Sequence, residues 1–273
     1  MAEHLVTFVH LSDTHIHADP TYTGELVDFS SRGPVQRLID AVNALPMPIN
    51  FILHTGDIAH NPETPEHYKA AVDMLKQLRY PVHYIPGNHD DVETMQSAFL
   101  GCPDYAISRH CDYQFTVNGV QFVMLDSHAP APTEQDPYAA SGHLAPEQLA
   151  WLAQICSADD ARPLVVAMHH HAIPLEAPWL DRIVLKNGLQ LHEILLSARH
   201  RLRGVFYGHI HESVVTVRDG ISYYAALSGW FQTRTWYAQE MPARDLMREP
   251  GFNLVTLTKE DTFVRHYRVP LLP

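Results

Sequence analysis

The sequence predicts an α/β fold, and three observations carry that expectation. Short apolar runs of strand length alternate with helix-spaced segments, glycine-bearing turns follow the runs, and no apolar run reaches the eighteen residues of a membrane span. Residues 6–11 form the first apolar run. Across 35–45, Val35, Leu38, Ile39, Val42 and Leu45 recur at intervals of three and four, which lines one face of a helix. Residues 49–54 are the second run, 65–78 place Tyr68, Val72, Leu75 and Leu78 on one helical face, and 82–85 are the third run. Strand–helix–strand alternation of this kind predicts βαβ units on a largely parallel sheet.

The middle of the chain changes character. Segments 113–117 and 120–126 flank Asn118-Gly119, a hairpin signal because both residues tolerate positive φ. Residues 130–142, with Pro130, Pro132 and Pro137, suit a surface loop. A helix follows over 146–156, a strand over 164–168, a helix over 189–198 and a strand over 202–207; two hairpins then turn at Asp219-Gly220 and near Glu260-Asp261. No repeat or low-complexity linker divides the chain, so a single domain over 1–273 is expected, with 228–273 as a C-terminal hairpin extension. The aromatics Trp230, Phe231, Trp236 and Tyr237 suit an oligomer contact, a core or an active-site rim equally.

Composition narrows the function. The net charge is -12 with 19 Lys and Arg, and no basic cluster stands out. Long nucleic acid is a poor partner for such a surface, because its binding relies on neutralising phosphates. A small phosphorylated substrate stays open, since bound cations supply positive charge that the sequence total omits. The start of the chain carries no basic and apolar signal-peptide pattern, so the expected location is the cytoplasm. Cys102, Cys111 and Cys156 are sparse and in no metal-binding spacing; reduced thiols are expected, with a Cys102–Cys111 disulfide as the alternative.

The chemistry gathers just beyond the predicted strands. Asp13 and His15 follow the first run, Gly56-Asp57 the second and Gly87-Asn88-His89-Asp90 the third; His169, His170 and His171 follow the run ending at Met168, and Gly208-His209-Ile210-His211 the run ending at Tyr207. Ligands of open α/β sheets bind at the carboxyl ends of strands, so these five loops can converge on one crevice. Taken singly, each has an ordinary structural explanation: Asp57, for instance, is a good helix N-cap residue. The set holds Asp, His and Asn but no thiolate, which favours cations such as Mn, Fe, Co or Zn. Two such ions sharing a carboxylate generate a hydroxide near neutral pH and neutralise the attacking and leaving oxygens of a phosphate ester.

At these residues the chain resembles the calcineurin-like metallophosphoesterase superfamily, and within it the class III cyclic nucleotide phosphodiesterases and bacterial glycerophosphodiesterases. The resemblance runs from about His10 to His211. It implies a four-layer α/β/β/α sandwich of two mixed sheets flanked by helices. It also implies that Asp13, His15, Asp57 and His211 hold one divalent metal and that Asp57, Asn88, His169 and His209 hold the other, with Asp57 bridging. His89 falls where the family places a histidine that contacts the phosphoryl group and protonates the leaving oxygen. His60 and Asn61 lie where the phosphodiesterase relatives line the substrate pocket. Leu125-Asp126-Ser127 and Gly142-His143-Leu144 also look like this subfamily. Where the family commonly has His-His-Pro-Pro, this chain has His169-His170-His171-Ala172. The ligand is therefore assigned to His169, with His170 as the fallback ligand or a substrate-facing residue, and the role of His171 is open.

The implied activity is metal-dependent phosphodiester hydrolysis with catalytic Asp57 and His89, acting on a 3',5'-cyclic nucleotide such as cAMP or on a glycerophosphodiester. A non-catalytic scaffold of the same fold is the rival from another class, and the filled ligand positions argue against it. A symmetric homodimer or higher homo-oligomer is the expected assembly.

Overall fold

The computed structural model describes residues 2–24, 27–61, 64–101, 109–128, 140–247 and 249–270. Two sheets organise it. The first has the order β13-β12-β1-β2-β3, built from β1 (His4–Leu11), β2 (Phe51–His54), β3 (Val82–Tyr84), β12 (Gly251–Thr258) and β13 (Thr262–Arg268). The second has the order β4-β5-β6-β7-β9-β8, built from β4 (Tyr113–Val117), β5 (Val120–Met124), β6 (Leu164–Ala167), β7 (Leu202–Tyr207), β8 (Val215–Arg218) and β9 (Ile221–Ala225). The expectation of one largely parallel sheet is met only in part. β1–β2–β3 and β5–β6–β7–β9 are parallel runs, but each sheet ends in antiparallel strands contributed by hairpins.

Three apolar clusters define the layers. Val6, Phe8, Phe51, Leu53, Phe122, Val165, Phe206 and Val255 come from both sheets and pack face to face between them. Phe8 stacks on Phe51 at 5.1 Å and meets Phe122 and Phe206 edge-on, the offset and T-shaped contacts that aromatic rings prefer. Alternate residues of the same strands face outward: Val9, Leu11 and Ile52 bury against Val35, Leu38, Ile39 and Val42 of α1 (Arg32–Asn43) and against Tyr68, Ala71 and Leu75 of α2 (Pro65–Leu75). On the far side, Val123, Leu164, Val166 and Val205 bury against Leu149, Leu152 and Cys156 of α4 (Pro146–Ser157) and against Leu191 and Leu195 of α6 (Gly188–Ser197). The layers thus run helices, sheet, sheet, helices.

Two helices were not anticipated from spacing: α3 (Val92–Leu100) and the short α5 (Pro178–Arg182). The punctuation of α3 was legible nonetheless, since Asp91 caps it by accepting from the Thr94 N–H at 2.8 Å and Gly101 ends it in the left-handed region at φ 63°. A two-stranded ribbon, β10 (Gln232–Thr233) with β11 (Arg244–Asp245), lies in the aromatic segment. The C-terminal hairpin is woven into the first sheet, because β12 pairs antiparallel with β1. Cys111 and Cys156 are buried; Cys102 and most of the 130–142 loop lie outside the described residues.

Candidate metal centre

The loops after β1, β2, β3, β6 and β7 meet at one edge of the sandwich and are tied by backbone hydrogen bonds. Asp13 N–H donates to Gly56 O at 3.0 Å, His15 N–H to Asp57 O at 2.9 Å and Gly208 N–H to His169 O at 3.0 Å. Close approach demands the glycines. A Cβ on Gly56 would come within 2.6 Å of Gly87 N, and one on Gly208 would collide with Ser12 Oγ. Asp13, His15, Asp57, His209 and His211 all adopt positive φ between 41° and 71°. Non-glycine residues rarely do so, and such backbone strain collects at functional sites.

The side chains form two adjoining groups. Asp13, His15, Asp57 and His211 each offer a ligand atom within 4.8 Å of the others, and so do His169, His170 and His209. Asp57 stands between the groups: its Oδ2 is 3.5 Å from His15 Nε2 and 3.4 Å from His169 Nε2. Asn88 Oδ1 lies 3.1 Å from His169 Nε2, which joins it to the second group.

Backbone carbonyls set the tautomers. His169 Nδ1–H donates to Thr55 O at 2.6 Å, His209 Nε2–H to Ile183 O at 3.0 Å and His211 Nδ1–H to Phe231 O at 3.0 Å. The opposite nitrogens of His169 and His209 are left as lone pairs only 3.2 Å apart, and His211 Nε2 faces His15 Nε2 at 3.0 Å. Facing lone pairs at this separation repel unless positive charge lies between them. Outer hydrogen bonds of this kind orient metal-bound imidazoles. The donor set, its spacing and these tautomers fit two divalent cations.

The electrostatics agree. Burial works against charge on Asp57, yet the facing imidazoles His169, His89 and His15 outweigh it and hold the carboxyl well below its ordinary range. Burial opposed, but exceeded, by the Asp57 and Asp13 carboxylates pushes His169 up to about 9. The paired carboxylates draw positive charge to this spot. Burial keeps His15 and His209 well below the ordinary imidazole range, hence neutral donors.

Asp90, the last residue of the third block, serves the framework. Its buried carboxylate accepts from the N–H groups of Ile58, Ala59 and Gly87, stitching the β2 loop to the β3 loop. His89 N–H donates to Asp57 Oδ1 at 2.9 Å and His89 Nδ1–H to His60 O at 2.9 Å.

A cavity of about 310 Å³ opens beside the first group, lined by His15, Tyr22, Gly24, His60, His89, His211, Trp230 and Phe231. His60 lines this cavity, whereas Asn61 is exposed and not among its lining residues. His170 is wholly buried and is itself one of the second donor group, not among the residues lining the cavity. His171 is buried with its ring 5.9 Å from His209 and belongs to neither donor group. The aromatic segment divides: Trp230 and Phe231 line the cavity, while Trp236 and Tyr237 are exposed. Tyr22 was missed, for its sequence neighbourhood gives no periodic signal; its hydroxyl meets His60 Nε2 at 3.0 Å. A larger hollow of about 690 Å³, near Cys156, Ser197 and Arg201, lies at the other ends of β6 and β7 and gathers no donor group among the described residues.

Comparison with known proteins agrees with this geometry. A 3',5'-cyclic adenosine monophosphate phosphodiesterase, CpdA, from Pseudomonas aeruginosa is 30% identical over 207 residues, 76% of this chain and 70% of that protein. CpdA from Haemophilus influenzae is 26% identical over 216 residues, 79% of this chain and 73% of its own length. A glycerophosphodiester phosphodiesterase, GpdQ, from Enterobacter lignolyticus is 29% identical over 214 residues, 76% and 71% of the two chains. Among solved structures, a dimetal phosphatase from Danio rerio shares the fold with a TM-score of 0.67 at 13% identity, covering 96% of this chain and 99% of that one. Residues 6–213, which hold every clustered donor, match the calcineurin-like phosphoesterase family, and the chain belongs to that family.

Proposed function

We propose that this chain is a dimetal phosphodiesterase that hydrolyses small phosphodiesters, with 3',5'-cyclic nucleotides such as cAMP favoured. The observation that carries the reading is Asp57, one carboxylate within 3.5 Å of imidazoles from two separate donor groups. Asp13, His15, Asp57 and His211 would hold one cation, and Asp57, Asn88, His169 and His209 the other; the oxygen and nitrogen donors suit Mn, Fe, Zn or Co. When bound, the cations supply a water acidified to near neutrality and positive charge opposite the phosphoryl oxygens.

The chain's own groups do the rest. With Nδ1–H committed to His60 O, His89 offers Nε2 to a substrate in the cavity its ring lines, where it donates a proton to the departing alkoxide. Trp230 is fixed by its Nε1–H bond to Phe29 O at 3.0 Å, and Phe231 meets it at 5.2 Å. Phe231 and Tyr22, half-buried at the cavity, offer aromatic faces on which a nucleobase stacks, while Trp230 is itself buried and backs Phe231. The likeness to GpdQ favours a glycerophosphodiester as the second reading, a substrate that gains nothing from such stacking.

The net charge of -12 argues against long nucleic acid, and among the described residues no helix is long and apolar enough to cross a membrane. Cytoplasmic residence belongs to the same proposal, supported by the three sparse cysteines. A homo-oligomer does too, supported by exposed Trp236, Tyr237, Met241 and Met247.

Elemental analysis and a kinetic panel test the proposal. The purified chain should carry two divalent cations and, reconstituted with Mn, turn over cAMP faster than a glycerophosphodiester or a phosphomonoester. Asp57→Ala should lose both cations and its activity on bis(p-nitrophenyl) phosphate. Undiminished hydrolysis by a metal-stripped Asp57→Ala protein refutes the assignment.

A further inference from the structure

Two sequence blocks, Leu125-Asp126-Ser127 and Gly142-His143-Leu144, have no part in the ligand scheme, yet both end on His170. Ser127 Oγ lies 2.8 Å from His170 Nδ1 and accepts the His170 backbone N–H at 3.2 Å. Gly142 packs against the same ring, where a Cβ would come within 2.6 Å of Cγ. The imidazole is wholly buried, and its Nε2 finds no hydrogen-bond partner among the described residues. A buried polar nitrogen left without a partner carries its full desolvation cost, so its retention calls for an explanation.

The surroundings supply one. His170 lies 4.5 Å from His209 and 4.9 Å from His169 between ring centroids, and the three offer ligand atoms within 4.8 Å of one another. Once Nδ1–H is given to Ser127 Oγ, Nε2 is a lone pair, the same arrangement by which carbonyls prepare His169 and His209.

We propose that His170 is a further ligand of the second cation, binding through Nε2 alongside Asp57, Asn88, His169 and His209, with Ser127 and Gly142 as its positioning residues. The inference rests on the dimetal reading above. Donors on opposite sides of an ion at about 2.1 Å lie about 4.2 Å apart, so the observed spread needs only a small closure on binding. A substrate-facing role is disfavoured, because His170 does not line the cavity.

The test is a metal titration rather than an activity. Chelator-treated wild type, His170→Ala and Ser127→Ala would be titrated with Co(II), following uptake by elemental analysis and coordination by the visible absorption of cobalt; circular dichroism of the metal-free proteins checks folding. Wild type should take two ions. His170→Ala should keep the first and bind the second at least tenfold more weakly, with an altered cobalt spectrum. Ser127→Ala, which keeps the imidazole but frees its orientation, should show a smaller loss and carries the test if His170→Ala fails to fold. A folded His170→Ala with wild-type uptake and spectrum overturns the inference and leaves the dimetal reading standing, as does Ser127→Ala at wild-type affinity where only that variant folds. A wild-type protein that takes no second ion overturns the dimetal reading, and this inference with it.

Discussion

At the scale of single residues, the third block divides its labour among four neighbours. Gly87 makes room, Asn88 faces His169, His89 reaches the cavity and Asp90 braces the loops. The assignment of His89 as proton donor has a consequence that separates it from a structural role. A sugar alkoxide is a poor leaving group and needs a proton as it departs, whereas p-nitrophenolate does not. His89→Ala should therefore lower kcat for cAMP by about 10²–10⁴-fold, with a much smaller effect on bis(p-nitrophenyl) phosphate and no change in bound metal. Equal losses on both substrates would count against proton donation and for a positioning role of the imidazole through its hydrogen bond to His60 O.

At the scale of elements, the site is made by turns that leave strands. Its position was legible because ligand-type residues follow apolar runs, and Gly56, Gly87 and Gly208 announce close backbone approach before any contact is seen. The two-sheet layering was not legible from periodicity. β4, β8, β12 and β13 are hairpin strands, and alternation within a hairpin does not say which sheet's edge it will extend. The lining by Tyr22 was hidden for another reason: it lies 208 positions from Trp230, and the two come to one cavity only once the loops are placed. At Gly208 the element and the site are the same thing. A methyl group there would drive into Ser12 and toward Asp13, prising the β7 loop from the β1 loop. Gly208→Ala should cost about 1–3 kcal/mol of stability, as overpacking commonly does, and weaken metal uptake in parallel. Thermal melts with and without added metal would check both; unchanged melting and uptake would show that the contact yields freely.

At the scale of the whole molecule, the sandwich buries titratable groups whose charges oppose one another as pH changes. His10 is wholly buried; its Nε2–H donates to Thr55 Oγ1 at 3.0 Å and its Nδ1 accepts from Asn253 Nδ2 at 3.3 Å, so a second ring proton would face a donor. Burial lowers it to about 3, and burial lowers His54 to about 4. Their folded values lie below the unfolded 6.5, so the stability they lend is present above pH 6.5 and is lost as pH falls toward 4. Asp126 works the other way. Burial raises it to about 7, so its contribution is fully present below its unfolded value of 3.8 and is lost as pH rises through 7. Below pH 6.5 two histidines act against one carboxyl, and their sum falls by roughly 1.4 kcal/mol per pH unit, one net proton. Other buried and half-buried groups titrate in the same window, among them His60 and His83, lowered to about 4, and Asp90, raised to about 6. Urea unfolding of chelator-treated protein between pH 7 and pH 5, where metal release cannot intrude, therefore reads the Asp126 share as the difference between wild type and Asp126→Asn. Asp126→Asn removes the opposing group, so its stability should fall more steeply over the same interval, by about a further 1.4 kcal/mol per unit. Parallel curves for the two proteins would mean that the Asp126 carboxyl is already charged in the folded chain, relieved of its burial by the N–H groups of Cys111 and His128 that it accepts.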